Sequence, residues 1–325
     1  MTIKSGAKAF VSVWKEGMYV RRLLVTGGTV FVSRFIAEYF AKKGDAVYVL
    51  NRNHRPQPAQ TRLIEADRHH LGDILKQQSF DAVLDITAYT AKDVDDLLDG
   101  LGTLHRSFQD YVLISSGAVY PETLPRPFSE TQQTGENQCW GAYGTNKIEA
   151  EKALFKRVPN AYVLRPPYLY GPLNNVYREA FVFDCADSGH TFYLPRNGEM
   201  KLQFFHVRDL CRCIEAILAH HPSERIYNVG NETCVSVREW VELCYRTAGR
   251  TAEFAHVHGV RNQREYFCFH DYEYQLDVTR QSGLITDTIP LEEGLREAYL
   301  WYCGHKDEVN RKGYLAYIDE QLRVI

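Results

Sequence analysis

The sequence predicts an α/β fold: a doubly wound parallel sheet with a smaller C-terminal α+β lobe. Three observations predict it. Short apolar runs alternate with amphipathic stretches from Arg21 to Gly171. The first run ends in a glycine turn that leads directly into a helical pattern. After Gly171 the alternation gives way to mixed signals, with no Pro/Gly-rich linker between the two regions. Strands alternating with helices at this pitch build parallel sheets with right-handed crossovers.

Taken in order, RRLLVTGG reads as a buried strand closing in a tight turn, and VSRFIAEYFAKKG as a helix stopping at Gly44. DAVYVLNR is a second strand and TRLIEADR a third, with HLGDILKQQ as the crossover helix behind it. FDAVLDITA is a fourth strand, followed by the helical KDVDDLLDGLG; DYVLISS is a fifth, and NAYVLRPPYLYGP contains a sixth. Beyond these, NNVYREAFVFDCADSG, DLCRCIEAILAHH and VSVREWVELCYRTAG read as helices, and ERIYNVG returns as a strand. The expected division is an extension over residues 1–18, a sheet domain over 19–171 to which 204–230 returns, and a lobe formed by 172–203 and 231–325.

Composition excludes several classes. Lys plus Arg number 38 against 41 Asp plus Glu, a formal charge of -3, without the basic excess of a nucleic-acid binder. With 45% hydrophobic residues the chain is too apolar for disorder. No run approaches the ~18 apolar residues of a membrane span. The first residues show no signal-peptide pattern, so a soluble, cytoplasmic protein is expected. Eight cysteines include no C-x-x-C, which points to reduced thiols and to no metal site.

The stretch Thr26 to Ser33 joins the first strand to the first helix. There backbone amides and a helix N-terminus can face a pyrophosphate, so Gly27, Thr29, Phe31 and Val32 are candidate cofactor contacts. A G-x-x-G-x-x-G pattern would place glycine where this chain has Val30 and Ser33. The second strand ends at Asn51-Arg52. An acid there would bind a ribose, whereas a base can pair with a 2′-phosphate, so Arg52 tilts the cofactor from NAD toward NADP; a solvated loop arginine is the competing reading. Asp67 could accept from an adenine amino group, and Thr87 and Ala88 would lie along the cofactor. Tyr143 and Lys147 stand four apart on one helix face, where an ammonium beside a phenol favours the phenolate. Ser116 emerges from the fifth strand at the carboxyl edge of the sheet, where ligands bind in open α/β folds.

TGGTVFVS, ISSGAVY, YGTNK, LRPPYLYGP and QFFHVRDL follow the order and spacing of the extended short-chain dehydrogenase/reductase family, and the chain is identified as an atypical member of it from about Tyr19 to Tyr302. The resemblance implies a Rossmann-like NAD(P)-binding domain and a substrate-binding lobe. It implies that Tyr143 is the acid/base, that Lys147 orients the cofactor ribose and lowers the tyrosine pKa, and that Ser116 hydrogen-bonds the reacting oxygen. It sets Pro166 beside the nicotinamide. The implied substrate contacts are Ser116, Gly117, Asn175, Lys201, Gln203 and Arg264. His206 reads as structural.

Two departures bear on the reaction. Sugar 4,6-dehydratases of this family carry an Asp-Glu pair where this chain has Gly117 and Ala118, so hydride and proton transfer alone remain. Leu202 and Gln203 stand before Phe204-Phe205-His206-Val207, where relatives place an arginine against a diphosphate. The expected function is an NAD(P)-dependent nucleotide-sugar epimerase, with a carbonyl reductase as one alternative and a non-enzymatic RNA- or protein-binding homologue as another. A homodimer through KDVDDLLDGLG and the Tyr143 helix is implied by resemblance, with neither nucleic acid nor membrane as partner.

Overall fold

The structure, a computed structural model, describes residues 13–15, 18–102, 108–259 and 262–322. Of the expected extension, residues 1–12, 16 and 17 lie outside the described residues. Val13–Lys15 pairs antiparallel with Met18–Val20 as a small hairpin before the sheet.

Seven parallel strands form the central sheet: β1 (Arg22–Thr26), β2 (Ala46–Asn51), β3 (Arg62–Glu65), β4 (Ala82–Asp85), β5 (Asp110–Ile114), β6 (Tyr162–Arg165) and β7 (Ile226–Asn228). Their order is β7-β6-β5-β4-β1-β2-β3. The chain winds outward in one direction from β1 and then in the other from β4, leaving a crevice between their carboxyl ends. Side chains alternate across each strand. Leu23 and Val25 face α1 (Phe31–Lys42) and α5 (Val207–His220), while Leu24 faces α2 (Ala91–Leu101) and α3 (Ala142–Arg157). All three are fully buried, and each such side chain contributes about 1.5–3 kcal/mol.

One expected element is absent. HLGDILKQQ forms consecutive turns, because Gly72 adopts φ +51° and breaks the helical path. Leu71 and Leu75 nevertheless bury against the sheet, so the apolar spacing that suggested a helix is spent on packing.

The second lobe builds its own core around α4 (Glu179–Ser188), α6 (Val237–Thr247) and α7 (Leu291–Gly304). Phe181, Phe183, Trp240, Phe267 and Phe269 fill it, and Phe192–Pro195 pairs parallel with Phe254–Val257. Tyr168–Tyr170 pairs parallel with Phe204–His206 at the junction, after which α5 and β7 rejoin the sheet layers.

Candidate active site

The glycine turn is shaped by close approach. Gly27 and Gly28 hold φ +85° and +86°, and a Cβ on Gly28 would stand 2.5 Å from Val49 Cγ1. A Cβ on Gly27 would stand 2.8 Å from Thr87 Cγ2. Phe31 opens α1 at φ 33°, a strained position for a residue with a side chain. Asn51 Nδ2 donates to Gly27 O at 2.7 Å and to Gln57 Oε1 at 2.9 Å, tying the end of β2 to the turn. Arg52 is exposed beside it. Asp67 accepts from His69 N at 2.9 Å, and this bond, aided by nearby His69 and Arg52, holds its carboxyl below the usual range.

Beneath the turn lies a network that sequence reasoning missed. Asp85, fully buried at the end of β4, accepts from Thr26 Oγ1 at 2.7 Å, Tyr111 OH at 2.6 Å and Arg68 Nη2 at 2.9 Å. Burial alone would raise its pKa, but the Arg68 charge and these donors outweigh it and keep the carboxylate ionised. Arg68 Nη1 also donates to Thr87 Oγ1 at 3.1 Å. The available signal was an acid inside an otherwise apolar strand, which needs a buried partner.

Tyr143 and Lys147 are carried by α3, whose inward face also presents Gly144, Ile148, Glu151 and Leu154. A Cβ on Gly144 would lie 2.5 Å from Ala118 O, so glycine lets the helix backbone press against the loop after β5. That approach brings Tyr143 to Ser116. Glu151 is gripped by Arg165 (Nη2 to Oε2 2.5 Å, Nε to Oε1 3.0 Å) and receives the Ser115 hydroxyl. Arg165 Nη1 donates onward to Tyr120 OH at 2.7 Å. The helix is thereby locked to β5 and β6.

Lys147 Nζ donates to Ala88 O at 2.7 Å and Ile114 O at 2.9 Å, and it lies 4.9 Å from the Tyr89 ring centre. Burial lowers its pKa to about 8. Tyr143 packs against Tyr89 and Trp140. Burial pushes its phenol up to about 12, opposed by a hydrogen bond with Ser116. This corrects the expectation that Lys147 draws the phenol toward neutrality: two carbonyls engage the ammonium, and desolvation governs Tyr143. Ser116 Oγ accepts from Ala118 N at 3.1 Å.

These groups line a cavity of about 510 Å³ between sheet edge and lobe. The structure brings Phe31, Val32, Thr87, Ser116, Tyr143, Lys147, Pro166, Asn175 and Arg264 onto its wall. Arg178, Tyr274 and Lys312, which the sequence did not single out, join them. Among the described residues no Asp or Glu lines it.

Three expected substrate contacts lie elsewhere. Gly117 is covered by Tyr274 and Leu276. Lys201 reaches Glu239 at 3.3 Å. Gln203 is a buried structural side chain: its Nε2 donates to Asn231 O at 2.8 Å, and its Oε1 accepts from Leu276 N at 2.8 Å. Of the expected cofactor contacts, Gly27, Thr29, Asn51, Arg52 and Asp67 stand off the cavity wall along the carboxyl ends of β1, β2 and β3, and Ala88 serves Lys147 through its carbonyl. His206 is structural, its Nδ1 capping α5 by accepting from Arg208 N at 3.2 Å.

The parts fit a dinucleotide: a glycine cradle that a side chain would fill, a helix N-terminus behind it, and a buried lysine beside a phenol. Residues 94–230 match the NAD dependent epimerase/dehydratase family, a span that begins after the glycine turn and includes Ser116, Tyr143 and Lys147. The chain is 25% identical over 315 residues to a chloroplast stem-loop binding protein of 41 kDa from Arabidopsis thaliana, covering 88% of this chain and 81% of that protein. It is 26% identical over 323 residues to a dTDP-glucose 4,6-dehydratase from Streptomyces griseus, covering 93% and 94%. The UDP-glucose 4-epimerase of Thermotoga maritima, solved with UDP-glucose, shares the fold at a TM-score of 0.72 and 18% identity, over 87% of this chain and 99% of that one. With the glycine cradle, the strand order and the Ser116, Tyr143 and Lys147 constellation in place, the chain is similar over residues 94–230 to the NAD dependent epimerase/dehydratase family and shares the fold of its solved nucleotide-sugar epimerases.

Proposed function

We propose that this protein is a nucleotide-sugar epimerase of the 4-epimerase kind, working by hydride and proton transfer. The observation that carries the reading is the meeting of Ser116, Tyr143 and Lys147 on the wall of one cavity with no carboxylate among its described lining residues. The cradle of Gly27 and Gly28 would hold the cofactor pyrophosphate, with Lys147 and Tyr143 at the ribose and Pro166 beside the ring. When bound, the nicotinamide supplies the hydride acceptor and donor. Tyr143 takes the proton of a substrate hydroxyl and returns it, and Ser116 donates to the same oxygen. Lys147, lowered to about 8 by burial, still carries its proton near pH 7 and would donate to the cofactor ribose, while the Ser116 hydrogen bond opposes the burial that raises the Tyr143 phenol.

Dehydration would need an acid and a base that this wall lacks. Gly117 and Ala118 offer none, and neither has room for one: both are buried. Arg178, Arg264 and Lys312 converge on the cavity with no carboxylate on its wall to oppose them, which suits the diphosphate of a nucleotide sugar. They would stand in for the arginine that Leu202 replaces. Arg52 beside Asn51 supports NADP over NAD. No described helix is long and apolar enough to cross a membrane, and a cytoplasmic location is part of this reading. A homodimer through α2 and α3 would have to pair opposite charges across the interface, because Lys92, Asp99, Glu149, Lys152 and Arg157 occupy that exposed face.

The test is a thermal-shift screen of nucleotide sugars on the NAD-loaded protein. A ligand at 100 times its Kd stabilises by about 2.7 kcal/mol. We expect one or more UDP- or dTDP-sugars to raise the midpoint and then to be epimerised. Cofactor binding without any response from a nucleotide sugar would move the reading to another substrate class. Failure to bind either NAD or NADP would favour a binding role instead, such as the name of the stem-loop binding relative indicates for that protein.

A further inference from the structure

Tyr274 comes from the lobe, far along the chain from the motif residues, yet its hydroxyl reaches the centre of the site. It is fully buried and lines the cavity. Its OH lies 3.5 Å from Ser116 Oγ and 3.5 Å from Pro166 O. Both are long for a hydroxyl bond, whose usual length is about 2.7–2.8 Å, so neither partner holds it tightly. A buried hydroxyl this loosely satisfied asks for an explanation.

Gly117 is the residue that lets it in. A Cβ there would stand 2.6 Å from Tyr274 OH and 2.7 Å from Leu276 Cδ2. The glycine that distinguishes this chain from the dehydratases is therefore more than a missing acid. Its emptiness is filled by a phenol from the second lobe.

We propose that Tyr274 is a positioning residue that sets the direction of the Ser116 proton. A serine hydroxyl has two lone pairs and one proton. Ala118 N donates to one lone pair at 3.1 Å. The other lone pair faces Tyr274 OH at 3.5 Å, and in the proposed arrangement the single phenol proton turns to it rather than to Pro166 O. With both lone pairs engaged, the Ser116 proton has one remaining use, donation into the cavity toward Tyr143 and the reacting oxygen. Ser116 then enters each turnover already oriented, and rotation of its hydroxyl costs nothing at the moment of reaction. Tyr143 is faced from the surrounding elements by Tyr89, Trp140, Arg178, Ser116 and Tyr274, with Lys147 on its own helix. Of these, Ser116 is the hydroxyl that reaches the phenol, and Tyr274 acts through it.

This inference rests on the proposed role of Tyr143, and the experiment separates the two. The phenolate absorbance of the NAD-loaded protein is followed against pH, and subtraction of the Tyr143→Phe titration isolates Tyr143. If Tyr274 orders Ser116, Tyr274→Phe removes that support from the Tyr143 phenolate. The apparent proton affinity of Tyr143 then rises about threefold or more, with an unchanged thermal midpoint. Gly117→Ala, which pushes the phenol aside, shifts it in the same direction and serves if Tyr274→Phe does not fold. Ser116→Ala shifts it too, and adding Tyr274→Phe to Ser116→Ala produces no further change. A Tyr143 titration that is present but identical in Tyr274→Phe, or lowered, overturns the relay. A Tyr143→Phe variant with undiminished epimerisation overturns the role of Tyr143 instead, whatever Tyr274 does.

Discussion

Arg165 and Glu151 form a buried ion pair, 2.5 Å at its shorter contact, that ties the Tyr143 helix to the edge of β6. Both side chains are almost wholly removed from solvent, so each charge depends on the other. Arg165 titrates well above its ordinary value: burial opposes the charge, but the Glu151 carboxylate outweighs it. Glu151→Ala leaves a guanidinium buried without its carboxylate, a loss of about 3–5 kcal/mol. Urea unfolding should show it, and Tyr143-dependent turnover should fall because α3 loses its register on the sheet. A loss under about 1 kcal/mol would mean that the pair contributes little.

Tyr143→Phe removes one oxygen from a half-buried ring that keeps its packing against Trp140 and Tyr89. Turnover should fall about 100-fold or more while NAD affinity stays nearly level. Lys147→Met should lower both, because Lys147 also anchors Ala88 and Ile114 and stands beside the expected ribose. A Phe variant with wild-type turnover would remove Tyr143 from the chemistry.

Gly28→Ala and Gly189→Ala place the same methyl in the left-handed region, at φ +86° and +68°. Each pays about 1–2 kcal/mol for backbone strain. The Gly189 methyl meets nothing within 4 Å, whereas the Gly28 methyl runs into Val49. Gly28→Ala should therefore be the less stable by thermal unfolding and should alone weaken NAD binding. Equal effects on binding would argue against the turn as the pyrophosphate cradle.

Arg52→Ala tests cofactor choice. If the exposed guanidinium pairs with a 2′-phosphate, the ratio of NADP to NAD affinity should drop about tenfold, with NAD itself little changed. An unchanged ratio, measured by titration of both cofactors, assigns Arg52 to the solvated surface.

His206 makes stability depend on pH. Burial, helped by the Arg208 charge, lowers its pKa from 6.5 to about 3. Glu297 Oε2 lies 3.6 Å from Nε2 but is already bound by Arg208 at 2.7 Å, so desolvation prevails. The unfolded chain takes up this proton below pH 6.5 and the native state does not. Stability is therefore complete above that value and is lost on acidification, at about 1.4 kcal/mol per pH unit. His270, lowered to about 4 by burial and then by Arg264, acts in the same direction. His206→Asn keeps an acceptor for the α5 cap and should flatten the urea-midpoint slope between pH 6.5 and about 5. An unaltered slope would refute the assignment.

Much of the sheet was legible because its signals are local. Apolar runs such as RLLVT and AVLD, the turn glycines and the four-residue spacing of Tyr143 and Lys147 all lie within a few residues of each other. HLGDILKQQ misled because leucine spacing in a short segment cannot distinguish a helix from packed turns, and Gly72 decided for turns. The buried acids were harder to read. Asp85 and Glu151 look like solvated strand-end and helix-face residues until Arg68 and Arg165 are seen beside them.

The sequence by itself pointed to the doubly wound sheet and placed Ser116 at a strand end and Tyr143 and Lys147 on one helix face, because periodicity and short spacing specify which residues share a strand end or a helix face. Only the tertiary structure decided what meets them across the cavity. It turned Lys201 and Gln203 away, brought in Arg178 and Lys312, and seated Tyr274 over Gly117. Such contacts join segments far apart in the chain. Their geometry comes from how the lobe packs on the sheet edge, and no local spacing encodes that.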